Sequence, residues 1–291
     1  MSHISIFFEL TRLKKPIGYM LLFWPCAWGL TLAYDFNDGF DNYFFYIFLF
    51  FSGAVLMRSA GCIVNDVVDR NYDKKVERTK NRPLAANRIT VKSALIIAFI
   101  LCLFAFLILI NFNNLTIILA LCSMPFAFTY PLMKRFTYWP QLFLGLTFNY
   151  GLLLGWISIQ EEISFIPFIF YFGAIFWTLG YDTIYGYQDI KDDEIIGVKS
   201  TSIKFKNSPK TFISVCYFLF FLSLILIGYF MNFNNLYYLL LIIPFFHLFF
   251  YQIINLDIDN NNSCHQKFKS NNILGLIIFS TILIEKNNLF I

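Results

Sequence analysis

The 291-residue sequence predicts an all-α, multi-spanning membrane bundle of about nine helices around a central cavity. Three observations carry that expectation. Hydrophobic residues make up 58% of the chain and charged residues only 14%, where a soluble domain holds about 25% charge. Apolar runs close to the ~20 residues needed to cross the hydrocarbon core recur along the whole length. The basic residues gather in alternate connections, which gives the bundle one positive side.

In chain order the predicted spans are roughly 17–34, 43–64, 91–110, 115–132, 139–159, 165–181, 211–231, 236–254 and 273–284. The last is short, because only 12 residues separate Asn272 from Glu285. It either sits in a thinned bilayer or extends past Asn271 and Asn287. On one side lie Arg12, Lys14 and Lys15, then eight Lys or Arg in segment 70–92, then Lys134 and Arg135. Five Lys between Lys191 and Lys210, with Lys267 and Lys269, complete that side, which holds 20 of the 22 basic residues. The opposite connections, 35–42, 111–114, 160–164 and 232–235, contain no Lys or Arg. The net charge of +4 therefore describes one face, and no nucleic-acid partner is expected. The alternation implies an odd number of crossings, with the C-terminus opposite the N-terminus. No cleavable presequence is visible ahead of the first span, so the expected location is a bacterial inner membrane. By the positive-inside rule the N-terminus and both acidic motifs described next face the cytoplasm.

The six cysteines are scattered without a CxxC pair, so neither a disulfide framework nor a zinc site is expected. His3, His247 and His265 have no ligand spacing, and His247 reads as a packing residue.

Spans 43–64 and 165–181 each end on an acidic cluster, and together these clusters hold seven of the chain's 18 acidic residues. Asn65, Asp69 and Asp73 follow i, i+4, i+8 and share one helical face, with Asp66 beside it. Asp182, Asp189 and Asp193 follow i, i+7, i+11, and Tyr185, Asp189 and Asp193 repeat the four-residue spacing. A basic loop follows each cluster, with Lys74, Arg78 and Arg82 after the first and Lys199 after the second. Carboxylates at a membrane edge are costly to place and usually mark function. Magnesium takes a few carboxylates together with phosphate oxygens and water, while Arg and Lys clamp remaining phosphate oxygens. The pattern therefore points to a magnesium-bridged diphosphate site. Solvated loop charges paired with neighbouring Arg and Lys are the plainer alternative, and the matched spacing of two clusters on one side argues against it. Arg58 lies seven residues before Asn65, about 10 Å deeper along the same stripe. An Arg inside a span costs at least ~2.5 kcal/mol, so Arg58 is expected to face the cavity and meet an anionic substrate group.

The stretch from Gly61-Cys62-Ile63-Val64-Asn65-Asp66 through Asn81-Arg82-Pro83-Leu84 resembles the first signature, NDxxDxxxD, of the UbiA-type intramembrane prenyltransferases. Tyr181-Asp182-Thr183-Ile184-Tyr185 through Gly197-Val198-Lys199-Ser200-Thr201 resembles their second, with its DxxxD at Asp189 and Asp193. The stretches Arg12 to Gly18 with Leu22-Phe23-Trp24-Pro25, and Tyr130-Pro131-Leu132-Met133-Lys134-Arg135, resemble the branch that prenylates 4-hydroxybenzoate. The likeness runs from about residue 10 to about residue 205. It implies one transmembrane prenyltransferase domain over 1–291, with motifs at 65–73 and 182–193. It also implies magnesium-dependent transfer of a polyprenyl group from polyprenyl diphosphate to the carbon ortho to the hydroxyl of 4-hydroxybenzoate, a step of ubiquinone biosynthesis. Metal-ligand candidates are Asp66, Asp69, Asp73, Asp189 and Asp193. Substrate-binding candidates are Arg12, Arg58, Asn65, Lys74, Arg78, Arg82, Lys134, Arg135, Tyr185 and Lys199, with Arg135 placed by the resemblance against the aromatic acid. Asp182 and Asp189 are the candidates for contact with the phenol or removal of its ring proton. The prenyl tail is expected to run sideways into membrane lipid; the oligomeric state is left open. Alternatives are another aromatic or haem acceptor in the same superfamily, and a cation-coupled transporter. The DGxxAR string of phospholipid head-group transferases does not occur.

Overall fold

The structure, a computed structural model, describes residues 3–287, and every regular element among them is helical. Helix α1 (His3–Thr11) precedes α2 (Ile17–Ala33), α3 (Asp41–Val68) and the one-turn α4 (Arg70–Asp73). Next come α5 (Val91–Leu109), α6 (Asn114–Thr129) with a 3-10 extension (Tyr130–Arg135), α7 (Pro140–Gln160) and α8 (Phe165–Gly186). A 3-10 turn (Tyr187–Asp189) leads to the short α9 (Ile190–Ile196) and α10 (Thr201–Lys204), then α11 (Pro209–Phe230). The chain closes with α12 (Asn235–Leu240), α13 (Ile242–Phe245), a π-helical stretch (Phe246–Ile254) and α14 (Asn261–Lys286). Local chemistry explains the boundaries. Thr90 and Asn113 cap α5 and α6 by accepting from Ser93 N and Thr116 N, while proline opens α7 and α11.

Among the described residues eight helical stretches are long and apolar enough to cross a membrane, and the 17-residue α2 makes a ninth crossing. At 1.5 Å per residue α2 reaches about 26 Å, a little under the bilayer core. Its far half is buried throughout, so the bundle rather than lipid surrounds it. Close approach to α7 depends on small residues: a Cβ on Gly155 would stand 2.7 Å from Leu30 N, which no side chain tolerates. Trp28 of α2, Phe170 and Trp177 of α8 and Phe220 of α11 stack in the core, with ring centroids 5.0 Å apart for the two tryptophans.

The ninth crossing differs from the short expectation, because α14 runs for 26 residues. Its polar first half is accepted inside the bundle since its amides find partners. Trp177 Nε1 donates to Asn271 Oδ1 at 2.8 Å and Trp24 Nε1 to Asn272 Oδ1 at 2.9 Å. Gln252, turned inward by the π-helical stretch, accepts from Tyr217 Oη at 2.6 Å and donates to Asn271 Oδ1 at 3.1 Å. Polar groups at membrane depth survive when they are satisfied in this way. His247 sits beside this network, 3.3 Å from Gln252 Nε2. The C-terminal residues 288–291, and with them the expected side of the C-terminus, lie outside the described residues.

Candidate active site

Both acidic motifs sit where long helices break. The first was expected on one continuous helix, but α3 ends at Val68 and Asp69 forms the joint before α4. Asp side chains compete with helical backbone bonding, which favours such a joint. The i to i+4 register still survives: Asp69 N donates to Asn65 O and Asp73 N to Asp69 O, both at 2.8 Å. In the second motif Asp182 remains in α8, Asp189 closes the 3-10 turn and Asp193 lies in α9. The expected single face is thus spread over three elements. The Ser200-capped turn of α10 fastens this end, with Thr201 and Thr183 hydroxyls 2.6 Å apart and Ser202 Oγ donating to Thr183 O at 2.8 Å.

Cationic arms from three separate segments reach these carboxylates. Asp66, 1% exposed, accepts from Arg12 at 2.5 Å and Arg82 at 3.1 Å, and Arg82 also donates to Asp73 at 2.9 Å. Lys134 donates to the buried Asp69 at 2.5 Å, and Arg135 stands 3.9 Å from its other oxygen. Arg78 grips Asp189 through Nε at 2.7 Å and through Nη2, and donates to Tyr185 Oη at 2.9 Å. Because Arg78 follows the first motif and Asp189 belongs to the second, this pair ties the two acidic ends together. Glu77 N adds a bond to Asp192 Oδ2 at 3.3 Å, and Lys199 N donates to Lys134 O at 2.8 Å. Burial pushes the Asp73 carboxyl above its ordinary value against the opposing pull of Arg82.

Below this charged layer lies a cavity of ≈ 380 Å³ between α2, α3, α5, α6 and α7. Its walls are apolar, and Arg58 with Tyr130 stands at its polar end. The Arg58 guanidinium packs over the Phe148 ring at 5.3 Å, and its Nε is buried without a hydrogen-bond partner. The depth expected for Arg58 is what the helix delivers. Asp182, half-buried near the end of α8, lies three residues before Tyr185, whose hydroxyl accepts from Arg78.

Some candidates fall elsewhere. Lys74 is exposed and, among the described residues, takes no carboxylate partner. Arg135 turns onto the end of α3, donating to Val68 O at 2.8 Å and lying 5.2 Å over the Tyr72 ring. It is Tyr130, five residues earlier, that lines the cavity. Asn65 is half-buried beside Asp66. Lys199 lies at the edge, with Nζ 3.3 Å from Phe136 O. Sequence reasoning passed over Tyr72, whose place between Asp69 and Asp73 was a usable signal, and Phe268 of α14, whose ring lies 4.4 Å from that of Tyr185 and which carried none.

The donor chemistry suits a hard divalent cation, with carboxylate oxygens from both helix ends and Asp69 Oδ1 buried without a hydrogen bond. Among the described residues no three carboxylates, imidazoles or thiols stand close enough to ligate one ion, and Asp66, Asp69, Asp73 and Asp189 are each paired with Arg or Lys.

Residues 22–275 match the UbiA prenyltransferase family. The chain belongs to that family. The 4-hydroxybenzoate polyprenyltransferase of Caenorhabditis elegans mitochondria is 43% identical over 282 residues, covering 97% of this chain and 78% of that protein. The mitochondrial 4-hydroxybenzoate polyprenyltransferase of Bos taurus is 45% identical over 280 residues, covering 96% of this chain and 74% of that one. In three dimensions this UbiA-family chain is similar to a UbiA homolog from Archaeoglobus fulgidus bound to GPP and Mg2+. That match has a TM-score of 0.68 and 16% identity, and it covers 96% of this chain and 99% of the other. These relatives overturn one expectation. A bacterial inner membrane was inferred from the missing presequence, yet the similar proteins are mitochondrial enzymes of animals. The first residues of the chain carry no physical information about the compartment; the multi-pass character, which rests on the apolar spans, stands.

Proposed function

We propose that the chain, as one domain over 1–291, joins a polyprenyl group to the ring carbon ortho to the hydroxyl of 4-hydroxybenzoate, a step of ubiquinone biosynthesis. The observation that carries this reading is the Arg78–Asp189 tie, which brings two acidic helix ends to one face above an apolar cavity. The names of the similar enzymes and the motif match support the same acceptor.

Asp66, Asp69, Asp73, Asp189 and Asp193 would hold magnesium. When bound, that ion offsets diphosphate charge and stabilises departing pyrophosphate. The remaining work falls to the chain. Arg12, Arg78, Arg82 and Lys134 already stand at these carboxylates and can pass to phosphate oxygens as the diphosphate arrives. The carbon–oxygen bond to the diphosphate breaks, and the allylic carbon bonds the ring carbon ortho to the phenol. The displaced ring proton passes to a base, for which Asp182, in the last turns of α8, is the candidate. Arg58 holds the acid's carboxylate at the polar end of the cavity. Apolar walls keep water from the allylic cation, which water would quench. Phe106 and Leu121 line the cavity and are also exposed, so the tail can leave sideways into lipid.

Membranes carrying the protein, given radiolabelled 4-hydroxybenzoate, a polyprenyl diphosphate and magnesium, should yield a lipid-soluble labelled product. Chelating divalent ions should abolish it and added magnesium restore it. Label accumulating inside vesicles without a new covalent product would instead make the protein a transporter.

A further inference from the structure

Glycine inside a helix is less stable than alanine, so an interior glycine marks either a close neighbour or a space kept for something else. At nearly all helical glycines of the bundle the neighbour explains it. A Cβ there would stand within 3.0 Å of another atom, as at Gly145, where Ile175 O would be 2.9 Å away. Among the described helical residues Gly53 and Gly61 of α3 are the exceptions, since a Cβ on either would meet nothing within 4 Å. Both line the ≈ 380 Å³ cavity. Gly53, Met57 and Gly61 follow i, i+4, i+8 and share one face of α3, and Met57 lines the same cavity. No protein neighbour requires Gly53 to be glycine, and the space beside it belongs to the cavity.

Depth says what that space takes. Gly53 stands twelve residues before Asn65 in α3, about 18 Å below the first acidic motif at 1.5 Å per residue. Less than one turn deeper, Phe50 lines the far end of the cavity, where its ring meets that of Phe112 at 4.8 Å. Phe112 in turn meets Tyr46 at 5.6 Å. The connection that carries Phe112 is pinned by Asn113, whose Nδ2 donates to Ile157 O and whose Oδ1 accepts from Thr116 N, both at 2.9 Å. These rings form a fixed aromatic floor. Around Gly53 the lining, with Leu49, Ala54, Leu109 and Leu154, is apolar, and Arg58 lies more than a turn above. A long hydrocarbon chain anchored by its polar end at the acidic motifs suits such a space. The acceptor, with a carboxylate at one end and a hydroxyl at the other, has no group for it.

We propose that Gly53 is a specificity-determining residue for the prenyl donor: its missing side chain leaves the lane by which the distal isoprene units of a long donor run along α3 to the Phe50–Phe112 floor. This rests on the prenyl-transfer reading above. The test uses the full chain in detergent with magnesium. Calorimetry compares geranyl diphosphate, which ends above Gly53, with geranylgeranyl diphosphate, which reaches it, in the native protein, Gly53→Ala and Gly53→Phe. The native protein should bind the longer donor at least about tenfold more tightly, since each further buried methylene is worth about fourfold. Gly53→Phe should lose about tenfold for the longer donor and leave the shorter one unchanged. In turnover that loss should appear as a raised KM for the longer donor, with KM for 4-hydroxybenzoate unmoved. Melting without ligand separates room for a substrate from packing. Neither variant should melt below the native protein, because no neighbour is displaced. Unchanged binding of the longer donor by Gly53→Phe would overturn the proposal, since the chain would then leave above Gly53. So would an equal loss for both donors, the absence of a native preference for the longer one, or a lowered melting temperature of Gly53→Ala. Should the native protein make no prenylated product, the functional reading fails, yet the comparison of the two diphosphates still decides the role of Gly53.

Discussion

Asp66→Asn and Asp189→Asn remove one charge each from the two motifs, and the structure separates their consequences. Asp66 is 1% exposed and serves two guanidinium groups, Arg12 and Arg82, which are 24% and 20% exposed. Removing one partner from a buried ion pair costs about 3–5 kcal/mol, chiefly because the remaining charge is left uncompensated. The partial exposure of both arginines moves the expectation to about 2–3 kcal/mol. Asp189 is 14% exposed, but its partner Arg78 is 40% exposed and can turn to water, so about 0–1 kcal/mol is expected there. Both carboxylates are proposed magnesium ligands, so both variants should lose at least about 100-fold in prenyl transfer, on the scale of losing one preorganised electrostatic contact. In detergent, apparent melting should fall by about 5–10 °C for Asp66→Asn and by no more than about 4 °C for Asp189→Asn, at 2–4 °C per kcal/mol. Melting followed by near-UV circular dichroism, with turnover on the same preparations, checks both halves. Equal destabilisation by the two variants would refute the burial argument, and near-native turnover by either would refute the ligand assignment.

Two further outcomes follow from other parts of the site. Burial raises the Asp73 carboxyl, so between the ordinary carboxylate range and that raised value the folded protein holds more protons than the unfolded chain. Metal-free stability should therefore fall as pH rises through that window, and magnesium, which displaces the proton, should bind more weakly as pH falls through it. Magnesium titrations at several pH values should show that dependence in the native protein and a flatter one in Asp73→Asn. Asn271→Leu removes the bonds to Trp177 and Gln252, each worth about 0.6–1.7 kcal/mol in a membrane. Apparent melting should drop by several degrees while the magnesium requirement stays put, and an unchanged melting temperature would show that these amides do not hold α14.

The order of nine crossings, the positive face and the two acidic motifs could be read from the chain, because bilayer thickness sets span length and charge cannot stay in hydrocarbon. Arg58 could be placed at its depth for the same reason, since seven residues of helix fix a distance whatever surrounds them. The full length of the ninth crossing could not be read. Its polar half is tolerated through side chains that include Trp24 and Trp177, more than 90 residues away in sequence. The helix breaks at Asp69 and Gly186 were likewise hidden, because a four-residue spacing looks the same across a joint that keeps its register.

What the sequence determined by itself is therefore one-dimensional chemistry: which segments are apolar enough to enter the membrane and which residues carry charge at their ends. Only the tertiary structure decided how those charges are partnered. Arg78 meets Asp189 across 111 residues and Lys134 meets Asp69 across 65, and no local rule selects such pairs. They arise because packed helices deliver their ends to one layer, where each buried carboxylate takes the cation that the bundle brings within reach.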